Sequence, residues 1–149
     1  MSVSMTVDSS TLTGMSQTAL DQLFVRGQVG RVPVGDAVGT AIVVPGSPVS
    51  GPLAALIRLL AWQGKVFDPD GRGLRNKISP FGIRAIRAAI YKEPSWFDRS
   101  ECIVLDYSKT SFVARLIRDE IREVAPGRFL GIVYWGKRKI ANFFLVFTS

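Results

Sequence analysis

Apolar and polar residues alternate along the second half of the chain with the period of two that is typical of β-strands. The alternation is clear over 100–107. It continues over 117–125 and 128–135, on either side of Pro126-Gly127, a pair that suits a tight turn. A last strand follows over 140–147, so the pattern predicts a meander of antiparallel strands.

The last predicted strand is apolar on both faces. Phe143 and Leu145 share one face, Phe144 and Val146 share the other, and Asn142 is the polar exception. An antiparallel strand of this kind needs cover on both sides. We therefore predict a mainly β fold, a closed or nearly closed antiparallel barrel, with a helix or a second subunit of a homodimer against its outer side.

Two short helices are predicted in the first half of the chain. Ser16 is a suitable N-cap for an apolar stripe that ends at Gly27, and a second stripe runs over 52–62. Residues 1–15 are rich in Ser and Thr and show no apolar period, so we expect a mobile tail. The remaining 16–149 have the size of a single domain.

Shorter strands are predicted between the helices and the meander. Val-rich residues over 41–44 form one, and 65–68 form another that a tight turn ends. The stretch 83–91 fits helix and strand, and we favour strand after about Ile86. Over 109–124, one helix and a short helix followed by a strand both stay open.

Composition limits the chemistry. The chain has no histidine, which excludes Ser-His-Asp and Cys-His catalysis and nearly every ordinary zinc site. We therefore expect no metal and no cofactor, and acid-base chemistry would fall to Asp, Glu, Lys or Tyr. The single cysteine, Cys102, cannot form an internal disulfide, and no signal peptide or transmembrane stretch is visible, so we expect a cytoplasmic protein.

The chain carries a formal charge of +7, which favours acidic partners. Its basic residues are densest over 72–92, where no acidic residue occurs. This stretch could bind nucleic acid or another anionic surface, or it could be a solvated sheet edge protected by charge.

Four charged residues on one predicted strand are candidate ligand-binding groups: Arg118, Asp119, Glu120 and Arg122. If both faces of the strand are covered, alternation aims at least one pair inward. An inward Arg beside a carboxylate would anchor an acid group or polarise a carbonyl. A solvated run on an edge strand is the alternative.

Three more candidates lie at or near the ends of apolar strands. Asp106 at a barrel mouth could act as a base if burial raised its pKa, and Tyr107 and Tyr134 could donate hydrogen bonds to a ligand oxygen. The alternative interpretation is an Asp that caps the next turn and two Tyr that fill the core.

Two motifs carry a family resemblance: Trp62-Gln-Gly-Lys-Val-Phe-Asp68, and the run 119–124 followed by Leu130-Gly131. Over roughly 39–147 the chain resembles the small lipocalin-like, calycin-type β-barrel proteins of the GXWXG type. It departs from them at 39–43, where Gly-Thr-Ala-Ile-Val replaces Gly-x-Trp-x-Gly.

The resemblance implies a barrel cavity for an apolar molecule. Lys65 and Asn76 could then point into a polar end of that cavity, and Trp62 is a further candidate for ligand binding, with a core anchor as the alternative. The resemblance implies no reaction. Taken with the residues, three functions stay open: binding of a small hydrophobic, lipid-like or polyketide-like molecule; an isomerase or cyclase in which Asp106, Glu120 or Tyr107 moves a proton; and binding of nucleic acid or an anionic surface.

Overall fold

A computed structural model of the chain describes residues 9–42, 65–76, 87–110 and 114–147. These ranges contain two helices followed by eight strands. The helices are α1 (Ser9–Thr13) and α2 (Gln17–Arg26). The strands are β1 (Gly35–Ile42), β2 (Lys65–Phe67), β3 (Gly73–Asn76), β4 (Arg87–Pro94), β5 (Glu101–Asp106), β6 (Ile117–Ala125), β7 (Arg128–Trp135) and β8 (Arg138–Phe147).

The eight strands form a closed antiparallel barrel in chain order. Each strand pairs with the next, and β1 closes the ring against β8 in a register that sets Ala37 opposite Phe147. The predicted mainly β fold, an antiparallel barrel with short helices near the N-terminus, is confirmed. The finer assignment to the lipocalin-like family is not established by this topology.

The C-terminal meander forms with the predicted bounds for β6 and β7. Gly127, in the turn between them, has a φ of 71°, a left-handed conformation that glycine adopts without strain. One helix across 109–124 is excluded, because β6 starts at Ile117 and the described residues just before it are turns. Strand β4 likewise confirms strand after about Ile86.

The barrel interior is a cluster of buried apolar side chains. Every strand contributes to it, for example through Ala37, Phe67, Leu74, Ile90, Leu105, Ile121, Val133 and Phe143. At one level the Phe143 ring lies directly over Gly131, where a Cβ would overlap the ring atoms. A glycine at 131 therefore makes the room in β7 that this large side chain of β8 occupies.

A second apolar cluster covers the outer face of the C-terminal strands. Leu20 and Phe24 of α2 pack there against Leu130 of β7 and Phe144 of β8. The predicted cover for the two-faced last strand is thus confirmed as barrel interior on one side and helix on the other.

The helix α2 begins and ends at the predicted residues. Ser16 accepts a hydrogen bond from the Ala19 N–H, as an N-cap does. At its other end, a Cβ on Gly27 would lie 2.9 Å from the Arg122 Cβ, so glycine allows the chain to approach β6 this closely. The second predicted helix, 52–62, lies outside the described residues.

Part of the predicted tail forms a short helix. Ser9–Thr13 forms α1, and Leu12 is 1% exposed within the outer apolar cluster. A helix this short with one large apolar residue has no detectable period, so its packing depends on the barrel face that receives it. The expectation for 1–8 lies outside the described residues, and the single-domain assignment stays a prediction.

Connectivity makes the two ends of the barrel different. The strands β1, β3, β5 and β7 finish at one end of the barrel. We call it the Lys65 end, because Lys65 is the first residue of β2 and lies there. The connections that contain 43–64 and 77–86 join strands at this end. At the opposite end, Val29 and Val32 of the segment before β1 pack against the interior cluster.

Candidate functional site

Three polar side chains meet inside the barrel near its Lys65 end. The Lys65 ammonium donates a hydrogen bond of 3.0 Å to the Tyr107 hydroxyl. It also forms an ion pair with Asp119, with 3.7 Å between Nζ and Oδ2. Lys65 and Tyr107 are 0% exposed and Asp119 is 2% exposed.

Strand register explains why these side chains point inward. Lys65 lies opposite Ala37 of the interior cluster, and Asp119 lies between Leu105 and Val133 of the same cluster. Residues opposite each other on neighbouring antiparallel strands share a face of the sheet. Both charged residues therefore have the orientation of their apolar neighbours.

Burial brings the two pKa values toward each other. Removal from water lowers the pKa of Lys65 from its ordinary value of 10.5 to about 8, against the opposing influence of Asp119. The same desolvation raises the pKa of Asp119 to about 6, although Lys65 and Tyr107 both favour its ionised form. At neutral pH, the pKa of Asp119 therefore lies a little below the pH and the pKa of Lys65 lies a little above it.

One oxygen of the site has hydrogen-bonding capacity left. Among the described residues, the Asp119 Oδ1 atom is buried and has no hydrogen-bond partner. The aromatic rings of Phe143 and Tyr107 lie close to the Lys65 ammonium, with their centroids at 5.5 and 5.7 Å from Nζ. The arrangement can bind a polar group in an apolar setting or pass a proton between two buried groups.

The sequence indicated Lys65, Tyr107 and Asp119 as separate candidates, but it did not predict that they meet. Asn76 is opposite Lys65 in the pairing of β2 with β3, so its backbone belongs to the same end of the barrel. Trp62 lies outside the described residues. The ring of Phe143, which flanks Lys65, was not among the predicted site residues because an apolar residue in an apolar strand gives no functional signal.

The charged run on β6 divides between the two faces, but the hypothesis of an inward arginine is wrong. Asp119 is inside, whereas Arg118, Glu120 and Arg122 lie on the outer face. There, the Arg118 guanidinium donates to Glu120 at 3.0 Å, and Ser95 and the Trp96 N–H also donate to Glu120. Within the charged run, the residue that points into the barrel is a carboxylate, Asp119. The cation beside it inside the barrel is Lys65, which comes from β2.

Asp106 is also on the outer face, and the conditions for a buried base are not met. Tyr91 donates a hydrogen bond to it at 2.8 Å, and the Ser108 N–H donates another at 2.8 Å. Partial burial acts to raise the pKa of Asp106, but these hydrogen bonds outweigh it and hold the pKa below its ordinary value. Asp106 is therefore an ionised turn-capping residue, the alternative that the sequence left open.

Tyr134 lies outside the barrel interior as well. Its ring packs edge-on against the Trp96 ring, with 5.2 Å between the ring centroids. The Arg118 guanidinium lies over the same Trp96 ring. Tyr134 and Trp96 border a solvent-open groove of about 620 Å³, and Asp106 borders a neighbouring one of about 340 Å³. These shallow grooves are separate from the Lys65 cluster.

The basic stretch 72–92 is described only in part. Arg72, Arg75 and Lys92 are exposed, and Arg87 forms an ion pair with Asp68. These side chains lie on a charged, solvated surface of the barrel, but not at a sheet edge, because the strands of this stretch are paired on both sides in the closed barrel.

Within the described residues, no group of three or more His, Cys, Asp and Glu side chains is placed to hold a metal ion. Neither helix of the described ranges has the length and apolar character needed to cross a lipid bilayer.

Comparisons with known proteins give the fold and no activity. Neither models of known protein families nor curated proteins match the sequence. The barrel is similar to a crystal structure of a protein from Thermomonospora curvata, with a TM-score of 0.56 and 18% sequence identity. The match covers 91% of this chain and 89% of that one, so nearly the whole fold is shared.

Proposed function

We propose that the protein binds a small, largely apolar molecule inside its barrel, with a carbonyl or carboxyl oxygen of that molecule accepting a hydrogen bond from Lys65. The observation that carries this proposal is the buried Lys65–Tyr107–Asp119 cluster in an otherwise apolar interior. A mostly apolar pocket with a few convergent polar groups is the usual composition of a small-molecule site.

The energetic cost of the cluster supports a functional role. A buried ion pair is often no more stabilising than apolar side chains of the same volume, because both charges lose their hydration. The Asp119 Oδ1 atom adds a buried acceptor without a partner in the described structure. A ligand group that donates a hydrogen bond to this oxygen would satisfy it.

The segment before β1 covers the end of the barrel opposite Lys65. Val29 and Val32 of this segment pack against the interior cluster there. Eight-strand barrels of this size can hold one small ligand. Membership of the lipocalin-like GXWXG family is consistent with this function and forms part of the proposal.

Isomerisation is a second candidate function, supported by the raised pKa of Asp119. A carboxyl group that titrates near pH 6 in a dry interior suits proton transfer at a carbon next to a carbonyl. The acid-base residue would then be Asp119 rather than Asp106 or Glu120. A mass-neutral rearrangement of a lipid-extract component, lost in Asp119→Asn, would support this function over simple binding.

Binding is tested by calorimetric titration with decanoic acid and decanol. We expect the wild-type protein to bind both. Lys65→Met should weaken the binding of decanoic acid by about tenfold or more, because the lost interaction is a charge-assisted hydrogen bond. The binding of decanol should weaken much less.

The matched control is Lys137→Met, which removes an exposed lysine from the β7–β8 turn. It should bind both probes as the wild type does. Decanol affinity should also be the same at low and moderate salt, whereas binding to phosphates would weaken steeply. No binding of either probe, or equal decanoic acid affinity in Lys65→Met and wild type, would overturn the proposal.

A further inference from the structure

We propose that Lys65 forms a reversible imine with an aldehyde or ketone ligand inside the barrel. This inference rests on the proposed function, because the carbonyl compound has to enter the same interior. It goes further by assigning a covalent step and a substrate class to the site.

The geometry brings together the groups that imine formation needs. Lys65 supplies the amine, and the carboxylate of Asp119 lies 3.7 Å from it. The Tyr107 hydroxyl lies 3.0 Å from the same nitrogen. An amine, a proton acceptor and a hydroxyl therefore meet at one point in the interior.

The step balances within these groups. Asp119 takes a proton from the Lys65 ammonium, and the neutral amine adds to the carbonyl carbon; a proton then moves from the nitrogen to the oxygen to give a carbinolamine. Asp119 returns its proton to the carbinolamine hydroxyl, which leaves as water while the C=N bond forms as a protonated imine. No oxidant or reductant is required, and hydrolysis reverses the step.

Burial favours both the amine and the product. Lys65 is 0% exposed, and its lowered pKa of about 8 leaves a larger neutral fraction near pH 7 than an exposed lysine has. The rings of Phe143 and Tyr107 beside Nζ limit the water that could hydrolyse an imine.

Other lysines in the described ranges have a different setting. Lys92, Lys109 and Lys137 are exposed, and Lys139 forms an ion pair with Asp21 near the surface. Their side chains keep contact with water, whereas Lys65 is 0% exposed. Selective reaction at Lys65 is therefore the signature of the proposed step.

The test uses decanal with sodium cyanoborohydride, which reduces an imine to a stable secondary amine. The full-length protein is treated at pH 7 with a small excess of decanal, digested, and mapped by mass spectrometry. We expect the peptide with Lys65 to gain the mass of decanal less one oxygen atom. Its labelling should be at least about tenfold faster than that of Lys92 or Lys137, since only Lys65 is desolvated.

Three variants separate a reactive site from a structural one. Lys65→Arg keeps a buried cation and should lose this label, while Lys137→Met should label at Lys65 as the wild type does. Asp119→Asn should slow labelling at a decanal concentration that saturates the site in both the variant and the wild type. Label spread over exposed lysines, or equal rates in Asp119→Asn and wild type, would overturn the proposal.

Decanol distinguishes failure of this inference from failure of the proposed function. Binding of decanol together with no label at Lys65 would refute the imine and leave the binding function standing. Absence of both would refute the two proposals together.

Discussion

Neighbouring residues on one strand have opposite roles in this protein. On β6, Asp119 faces the barrel interior and ion-pairs with Lys65, whereas Glu120 faces outward and accepts hydrogen bonds from Arg118, Ser95 and the Trp96 backbone. The period of two in a strand sends successive side chains to opposite faces. A run that is uniformly charged in the sequence thus contains one interior group and several outer ones.

The pH dependence of stability follows from the Lys65–Asp119 pair. The raised pKa of Asp119 contributes stability below its ordinary pKa, and this contribution is lost as the pH rises through about 6. The lowered pKa of Lys65 contributes stability above its ordinary pKa, and this is lost as the pH falls through about 8. Between about pH 6 and pH 8 both groups are ionised, and burial of the pair then costs the most free energy.

We predict that Lys65→Met destabilises the protein more at pH 8 than at pH 5. At pH 8 the variant must bury the Asp119 carboxylate without a cation or protonate it, at a cost of about 3–5 kcal/mol. At pH 5 Asp119 is already protonated and most of this cost disappears. Urea unfolding at the two pH values measures the difference, and a loss independent of pH would contradict the assignment.

The paired variant Lys65→Met with Asp119→Leu is the control. It removes both charges and retains a similar volume. Its free energy of unfolding should therefore equal that of the wild type or exceed it by about 1–4 kcal/mol between pH 6 and 8. A double variant less stable than the wild type would show that the pair is a net source of stability.

At the scale of elements, Arg122 joins three parts of the fold. Its guanidinium donates to the Phe24 carbonyl near the end of α2 at 3.1 Å and to both Asp98 oxygens at 2.6 and 2.7 Å. It also donates to the carbonyls of Ser100 and Glu101, so each N–H of the group has an acceptor. One side chain of β6 therefore fixes both α2 and the β4–β5 connection to the barrel.

We predict that Arg122→Met lowers the free energy of unfolding by about 3–5 kcal/mol, because a buried pair loses one partner and carbonyls lose their donors. Arg122→Lys should recover little of this loss, since an ammonium cannot form the planar fork that faces Asp98. Urea unfolding measures both variants, and a lysine variant as stable as the wild type would contradict this role.

Acid should weaken the same link in the wild type. The hydrogen bonds from Arg122 hold the pKa of Asp98 below its ordinary value. A depressed pKa contributes stability that is lost as the pH falls through the folded value. In Arg122→Met this acid-dependent part should be absent.

At the scale of the whole molecule, closure of the barrel depends on pairing between its first and last strands. β1 pairs with β8 along Ala37 to Ile42. The strands differ greatly in length, from three residues in β2 to ten in β8. The barrel therefore has a short-stranded side at β2 and β3 and a long-stranded side at β6 to β8.

We predict that hydrogen exchange is slowest in β7 and β8 and fastest, among the strands, in β2 and β3. The long strands are buried on both faces by the interior cluster and the helices, so their amides open only in global unfolding. Exchange measured by mass spectrometry on peptides from each strand tests this. Equal protection of β2 and β7 would contradict it.

Much of the fold could be predicted because it depends on local patterns. The bounds of β6 and β7 follow from alternation and from Pro126-Gly127, and α2 follows from Ser16, an apolar stripe and Gly27. The period of each segment is set by backbone geometry, so the chain itself records it. The two apolar faces of β8 further required cover on both sides, which the barrel and α2 provide.

Local pattern could not place α1 or the interior site. Leu12 is buried only because a distant strand face receives it. Lys65 lies on β2, Asp119 lies on β6 and Tyr107 directly follows β5, so their meeting depends on the register of these strands around a closed ring.

The sequence by itself determined that the chain forms antiparallel strands, where most of them turn, and which types of group are available for chemistry. Only the tertiary structure decided which of the charged groups became interior ones. The reason is physical: strand period is a property of neighbouring residues, whereas burial, and the pKa values of Lys65 and Asp119 that follow from it, arise from residues far apart in the chain.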